Sequence, residues 1–237
     1  VLITVMIACW FVVTPARLTS IVKKQAPNFI NCDFDLEQAE LTVFKSFPKV
    51  GVEIDKLVLI NPMVGSPSDT LAYINECVVS VDVKKFLKED QIIIDECRLN
   101  GGYINYFTDL QSKTNLDIFP VSEPDSLTEE SQDFVYGIDL MMLKFNDVSV
   151  NYTDLTQGMF AELNGLNVSA KGKMKGENIV GNVKMSLRDI AYQQTTDSLS
   201  MAVKLNDLKL EGDADMKGDD IKADIEASSS VLSYENA

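Results

Sequence analysis

The stretch LNGLNVSAKGKMKGENIVGNV (residues 163–183) is matched 42 positions later by LNDLKLEGDADMKGDDIKADI (residues 205–225). The alignment needs no gap, and it extends over residues 145–186 and 187–228. The matches fall on leucines, on Asn and Asp, and on a shared Met-Lys-Gly. Agreement at a fixed period is typical of a repeated structural unit. We therefore expect two equivalent units, each made of a few antiparallel strands.

Apolar and polar residues alternate within these units. Ile179 and Val183 fall on one side of an extended chain, whereas Asn182 and Lys184 fall on the other. The apolar positions that we expect to share one face are Val79, Val81, Ile179, Val183, Met185, Ile221 and Ile225. An apolar sheet face needs a cover. Either the sheet closes into a sandwich or barrel, or it stays open as a curved groove that holds lipid tails.

The alternation begins near Asn31 and divides the chain into sections. Residues 31–120 form an amino-terminal β-section, and residues 121–133 are an acidic loop that contains a proline. Residues 134–237 form the repetitive β-section, which we expect to continue beyond this sequence. The predicted fold is mostly β, with an amino-terminal helix followed by a long, curved, antiparallel, repetitive β-sheet that forms a taco-like groove.

The first thirteen residues, VLITVMIACWFVV, carry no charge. As a helix they would span roughly 20 Å, less than the roughly 30 Å of a bilayer core. The run starts at Val1 without an initiator methionine, so we expect a longer apolar segment upstream. Trp10 lies near one end, where interfacial aromatic residues occur. We interpret residues 1–13 as a truncated membrane anchor; a signal-peptide core and a buried helix are the alternatives.

A short amphipathic helix is predicted over residues 14–30. Thr14 is an N-cap residue, and Pro15 fits the first helical position. Apolar residues then recur at helical spacing until Pro27. The basic residues at or near the polar side are Arg17, Lys23 and Lys24, and we expect them to lie close to lipid head groups.

The charge and composition exclude several classes of function. Thirty-six acidic residues against 21 basic ones give a net charge of −15, which opposes nucleic-acid binding. The chain has no histidine, so the usual general base and zinc ligand are missing. Acidic pairs such as Asp219-Asp220 lie in turns, and Asp213-Ala214-Asp215 lacks the spacing of a calcium loop. We predict no enzyme activity, no catalytic residues, no metal site and no cofactor.

The four cysteines do not form a C-x-x-C motif. Cys77 shares a strand face with Val79 and Val81, so we interpret it as a small core residue. A disulfide between Cys77 and Cys97 on neighbouring strands is an alternative that the sequence leaves open.

Two segments carry a resemblance to a known family. The first comprises Thr14-Pro15-Ala16-Arg17-Leu18 and Val50-Gly51-Val52-Glu53-Ile54-Asp55-Lys56-Leu57 after the apolar run. The second is Cys97 to Asn105 followed by Lys113-Thr114-Asn115-Leu116-Asp117-Ile118. Together they resemble the start of AsmA-family proteins, which are related to TamB and to the chorein-type bridge-like lipid transfer proteins. This sequence departs from the family pattern at three positions. Gly102 stands where Pro is usual, Ser112 stands where Gly is common, and Leu116 stands where Trp is expected.

The resemblance covers about residues 1–120 and implies a location and a role. It implies a single amino-terminal anchor in the inner membrane, a β-groove in the periplasm, and a part in phospholipid transport and outer-membrane biogenesis. The implied partners are membrane phospholipids and further envelope proteins, with no nucleic acid. A structural or adhesin-like closed β-protein of the envelope without lipid cargo is the alternative function.

Overall fold

The computed structural model describes residues 14–43, 49–82, 91–118, 135–175, 178–196, 199–217 and 220–236. The predicted anchor at 1–13 and the predicted loop at 121–133 lie outside these ranges. Helix α1 spans Pro15–Gln25 and continues into a 3₁₀ turn at Ala26–Asn28. The strands are β1 (Phe34–Asp35), β2 (Gln38–Val43), β3 (Lys49–Ile60), β4 (Thr70–Asp82), β5 (Gln91–Thr108), β6 (Val135–Asp154), β7 (Met159–Lys175), β8 (Asn178–Thr196), β9 (Leu199–Lys217), β10 (Asp220–Ser228) and β11 (Val231–Asn236).

All eleven strands belong to one open, curved sheet in which chain neighbours are mostly sheet neighbours. The order is β1-β3-β4-β5-β6-β7-β8-β9-β10, with β2 beside β3 and β11 beside β9. The prediction of a mostly β fold with one amino-terminal helix and a long curved sheet is confirmed. Strands of up to 20 residues make the sheet about 60 Å deep along the strand direction.

One strand pair departs from the predicted antiparallel sheet. Strands β5 and β6 are parallel, from the pair Gln91–Val135 to the pair Thr108–Asp154. A parallel pair needs a crossover connection of a dozen residues or more, and residues 109–134 are long enough to supply one. The sequence pattern indicated a loop at residues 121–133 and assigned residues up to 120 to the amino-terminal β-section. The length of the stretch 109–134, rather than its composition, was the signal for a return along the sheet.

The predicted repeat corresponds to two successive hairpins. An offset of 42 places β6 on β8 and β7 on β9. Leu163 in β7 and Leu205 in β9 both lie opposite Ile190 in β8, so they hold the same position in the same row of the sheet. The prediction of a repeated β unit is therefore confirmed.

A line of left-handed residues occurs at one height in five strands of the sheet. Positive φ angles occur at Lys56 (49°), Gly101 (61°), Gly102 (114°), Asp147 (50°), Gly165 (66°) and Asp207 (52°), which lie at matching heights in β3, β5, β6, β7 and β9. We call this line the seam. The edge strands break at the same height, between β1 and β2 and between β10 and β11. Glycine and Asp tolerate this conformation better than most residues do.

The seam changes which residues share a face. In a regular strand residues 54 and 57 would point to opposite sides. Because Lys56 is left-handed, Ile54 and Leu57 instead pack in one cluster with Ile74 and Cys77 of the next strand. The register of β3 with β4 stays the same on both sides of Lys56, because Asp55 pairs with Glu76 and Leu57 pairs with Ile74. The apolar side of each strand is thus kept on one face above and below the seam.

Helix α1 packs against the sheet at the amino-terminal edge. Leu18 is buried, and Val22 packs against the same cluster as Ile54 and Cys77. The hydroxyl of Thr19 accepts a hydrogen bond of 2.8 Å from the backbone N–H of Ala39 in edge strand β2. The helix therefore covers an apolar part of the sheet face and also a backbone N–H group of an edge strand. Unpaired backbone groups of this kind are a liability of edge strands.

Beyond β5 the chain folds back on its own strand end. Thr114 forms a bridge with Thr108, and Asn115 is fully buried. The side-chain oxygen of Asn115 accepts from Phe107 N–H at 2.9 Å, and its amide nitrogen donates to the Asn105 carbonyl at 2.8 Å. Asn115 thus satisfies two backbone groups as a neighbouring strand would.

Candidate functional site

The strongest candidate for a functional surface is the face of the sheet on which α1 packs, which we call the inner face. One row of directly opposed residues crosses nine strands on this face. Its members are Leu41, Val52, Val79, Cys97, Leu143, Ala170, Val183, Gly212 and Ile225. None of them is polar or charged. The row is therefore a continuous apolar track about nine strands long.

A second apolar row runs beside the first, two residues along each strand. It consists of Ala39, Ile54, Cys77, Leu99, Phe145, Val168, Met185, Leu210 and Ala227. On the opposite, outer face the corresponding row of the last four long strands is Ser169, Lys184, Glu211 and Glu226. Lys184 and Glu211 form an exposed ion pair. One face of the sheet is thus apolar and the other is charged.

Exposure of the inner face increases from one edge of the sheet to the other. Near α1, Ala39 is 0% exposed and Ile54 is 8% exposed. In the first row Val183 is 43% exposed and Ile225 is 65% exposed. An exposed aliphatic side chain inside a continuous apolar track marks surface that is available to an apolar ligand. Among the described residues, the two apolar rows are therefore covered by the helix near β2 and exposed at Val183 and Ile225, whereas Val148, Leu166 and Leu187 beside the seam are buried.

The structure places the predicted lining residues as follows. Val79, Val183 and Ile225 lie in the first apolar row, and Met185 lies in the second. Ile179 and Ile221 both lie opposite Met216 of β9. One row, made of Gly181, Ala214 and Ala223, separates them from the first apolar row. Val81 pairs with Val50 and Ile94. The side chains of Val81, Ile179 and Ile221 lie outside the described part of the structure.

The predicted basic residues of the helix differ in their surroundings. The ammonium group of Lys23 pairs with Asp35 of β1 at 2.8 Å, which joins the helix to the sheet. This bond, together with the charge of Lys23, lowers the pKa of the exposed Asp35 carboxyl. Arg17 and Lys24 are exposed. Ile21, which the sequence groups with the apolar positions of the helix, is 52% exposed.

A row that contains three tyrosines borders the inner face, near the strand ends on the far side of the seam from the two apolar rows. It consists of Tyr106, Tyr152, Ala161, Tyr192 and Val203. The three tyrosines follow Ile104, Val150 and Ile190 by two positions, and Ile104 packs against the inner-face cluster. We call this row the tyrosine rim. Sequence reasoning missed it, although the match of residues 99–108 with residues 145–154 at an offset of 46 pairs the tyrosines.

Each hydroxyl of the tyrosine rim is hydrogen bonded two residues along its own strand. Tyr152 donates to the Asp154 carboxylate at 3.3 Å, and Tyr192 donates to the Gln194 side chain at 3.0 Å. Burial, followed by the nearby Asp154 charge, raises the pKa of Tyr152. The hydroxyl of Thr156 donates to Asp154 at 2.6 Å and lowers the pKa of that carboxyl. The rim thus joins apolar rings to an ionised, hydrogen-bonded edge.

Cys77 and Cys97, which the sequence places on neighbouring strands, are free thiols on the inner face. Cys77 lies opposite Leu99, and Cys97 lies opposite Val79, so the cysteines are diagonal neighbours. A hydrogen bond with Cys97 and burial raise the pKa of the Cys77 thiol well above its usual value. Cys77 is a core residue, as the sequence indicated.

Within the described ranges no group of three or more metal-ligating side chains occurs, and no helix is both long and apolar enough to cross a bilayer. The chain matches no family model, no curated protein and no solved structure.

Proposed function

We propose that this chain is an AsmA-like β-groove protein whose inner face carries phospholipid acyl chains across the periplasm in outer-membrane biogenesis. The observation that carries the proposal is the pair of apolar rows on one face of an open sheet. Soluble monomers rarely expose a large contiguous apolar patch, yet here Val183 and Ile225 are accessible within the rows. A bound acyl chain would cover them.

The energetics of such a surface suit a conduit. Each buried methylene contributes about 0.8 kcal/mol, and this contribution is not directional. An acyl chain on a continuous apolar track can therefore shift from strand to strand at nearly constant free energy. Charged residues on the outer face keep the same sheet soluble. No chemical step is needed, which agrees with the predicted lack of catalytic residues.

The amino-terminal end supports the membrane part of the proposal. Helix α1 packs on the inner face near β2, and the apolar segment 1–13 directly precedes this helix in the sequence. Arg17 and Lys24 are exposed on the same helix, where they would meet anionic head groups. We infer an inner-membrane anchor with the sheet in the periplasm.

The test places carboxylates on the exposed part of the inner face. In Val183→Asp combined with Ile225→Asp, a bound acyl chain must desolvate at least one charge. That costs several kcal/mol, and each 1.4 kcal/mol is about a tenfold loss of affinity. We expect co-purified phospholipid, measured by mass spectrometry of lipid extracts, to fall more than tenfold while the melting temperature changes little.

The matched control adds the same charges to the outer face of the same strands. Ser186 and Ser228 both lie opposite Lys209, so Ser186→Asp combined with Ser228→Asp leaves the inner face unchanged. Its bound lipid should equal that of the unmodified protein. If the unmodified protein carries no phospholipid, the conduit is ruled out and the structural, adhesin-like function takes its place.

A further inference from the structure

The tyrosine rim contains a slot between two of its rings. Tyr152 on β6 and Tyr192 on β8 both lie opposite Ala161 of the intervening strand β7. The methyl group of Ala161 is the only side chain between them in this row. Neighbouring strands are about 4.8 Å apart, so the two tyrosines stand about 9.6 Å apart. The slot has aromatic walls and a small apolar floor.

The dimensions of the slot fit a small cation. A group centred above Ala161 lies about 4.8 Å from the strand on either side. Attraction between a cation and an aromatic face acts within about 6 Å of the ring centroid. Both rings are therefore within range of one ammonium group. A bulkier side chain at position 161 would fill this space.

The charges around the slot favour the same kind of group. Asp154 follows Tyr152 by two residues, is 5% exposed, and is held in the ionised form by hydrogen bonds from Thr156 and Gln157. At the other wall Gln194 accepts from Tyr192 and donates to the Gln157 carbonyl. The paired rows of the inner face, within the described ranges, contain neither lysine nor arginine. A shielded carboxylate without a neighbouring cation attracts positive charge.

We propose that the slot formed by Tyr152, Ala161 and Tyr192, with Asp154 at its end, binds the ammonium group of a phospholipid head such as that of phosphatidylethanolamine. This inference rests on the proposed function, because the acyl chains of the same lipid would lie on the apolar rows. The lipid is then oriented, with its head at the tyrosine rim and its tails toward the two apolar rows across the seam.

An anionic head group lacks a partner in this arrangement. Phosphatidylglycerol would bring a net negative charge near Asp154 and the electron-rich ring faces, and both interactions are repulsive. A zwitterionic head instead places its ammonium in the slot and its phosphate toward solvent. The slot therefore selects by head-group charge, whereas the apolar rows bind any acyl chain.

The experiment measures total lipid and head-group preference separately. The delipidated chain is incubated with vesicles of equimolar dioleoyl phosphatidylethanolamine and dioleoyl phosphatidylglycerol, repurified, and its lipid is quantified by mass spectrometry. We expect about three- to fivefold enrichment of phosphatidylethanolamine, which is what an exposed cation–π contact supplies. In Tyr192→Leu and in Asp154→Asn the ratio should fall toward one with total lipid unchanged.

Two controls separate the slot from a general effect on folding. Tyr192→Phe keeps the ring and loses the hydroxyl, so it should keep the enrichment. Tyr103→Leu removes an exposed tyrosine of the outer face, where Tyr103 contacts Tyr73, and should not change the ratio. Equal binding of both lipids by the unmodified chain, or an unchanged ratio in Tyr192→Leu, overturns the slot but leaves lipid binding intact. Failure to bind either lipid overturns the proposed function and the slot together.

Discussion

The rings of Tyr106 and Tyr152 are parallel (0°), with their centroids 4.7 Å apart. The two residues are direct partners in the parallel ladder of β5 and β6. Because neighbouring strands are themselves about 4.8 Å apart, identical side chains in register stack at the strand spacing. The same ladder joins Asn105 and Asn151 by a hydrogen bond of 2.8 Å between their side-chain amides. Matching residues thus stabilise the one parallel pair among the described strands.

The first prediction concerns this stack. In a double-mutant cycle of Tyr106→Leu and Tyr152→Leu, we expect a coupling of about 1 kcal/mol, measured by urea unfolding. The control is the cycle of Tyr106 with Tyr192, which lies three strands away and should show a coupling near zero. Equal couplings in the two cycles would mean that the stack has no energetic role of its own.

The second prediction concerns the buried amide of Asn115. Asn115→Ala leaves Phe107 N–H and the Asn105 carbonyl without their partner. We expect the free energy of unfolding to fall by about 2–4 kcal/mol, because two buried polar groups lose hydrogen bonds. Hydrogen exchange at the Phe107 amide should accelerate in the same variant. Leu116→Ala, at a neighbouring residue that is 39% exposed, is the control and should leave this exchange rate unchanged.

The third prediction compares two glycines with positive φ. A Cβ at Gly102 would lie 2.0 Å from the Tyr73 carbonyl oxygen, whereas a Cβ at Gly65 would have no atom within 4 Å. Gly102→Ala should therefore destabilise the sheet by about 3 kcal/mol or more, and Gly65→Ala by about 1 kcal/mol from backbone strain alone. Thermal melting of both variants checks the difference. Similar losses would show that the seam can shift to accommodate a side chain.

The fourth prediction is a pH dependence. Burial, followed by the charges of Glu76, Asp55 and Glu40, raises the pKa of Glu53 on the outer face. A carboxyl whose pKa is raised in the folded state destabilises that state when ionised, and it has no effect below the pKa of the unfolded chain. Glu53→Gln should therefore melt about 1–2 °C higher than the unmodified protein at pH 7, a small shift because the group is largely solvated.

This difference should disappear as the pH falls below about 4. Glu162→Gln is the matched control, since Glu162 lies opposite the uncharged residues Asn151 and Ala191. It should melt like the unmodified protein at both pH values. A constant gain for Glu53→Gln at all pH values would assign the effect to packing and not to charge.

Alternation of residue types predicted the two faces of the sheet because each strand has one apolar side. It could not predict the seam. Asn164-Gly165 and Asn206-Asp207 are dipeptides of the kind found in hairpin turns, yet here they lie inside continuous strands and reset the alternation. The parallel pairing also depends on a long-range contact that no local pattern specifies. The tyrosine slot requires the register of β6, β7 and β8, which the sequence alone did not indicate.

The seam and the 42-residue repeat together determine how such a sheet can change in size. An additional repeat adds two strands, or about 9.6 Å, and it brings its own left-handed residue to the height of Gly165 and Asp207. Every second strand runs in the same direction and has its apolar side on the same face of the sheet. The depth of the sheet along its strands is therefore independent of the number of strands, and an added repeat extends the sheet by two strands at a time.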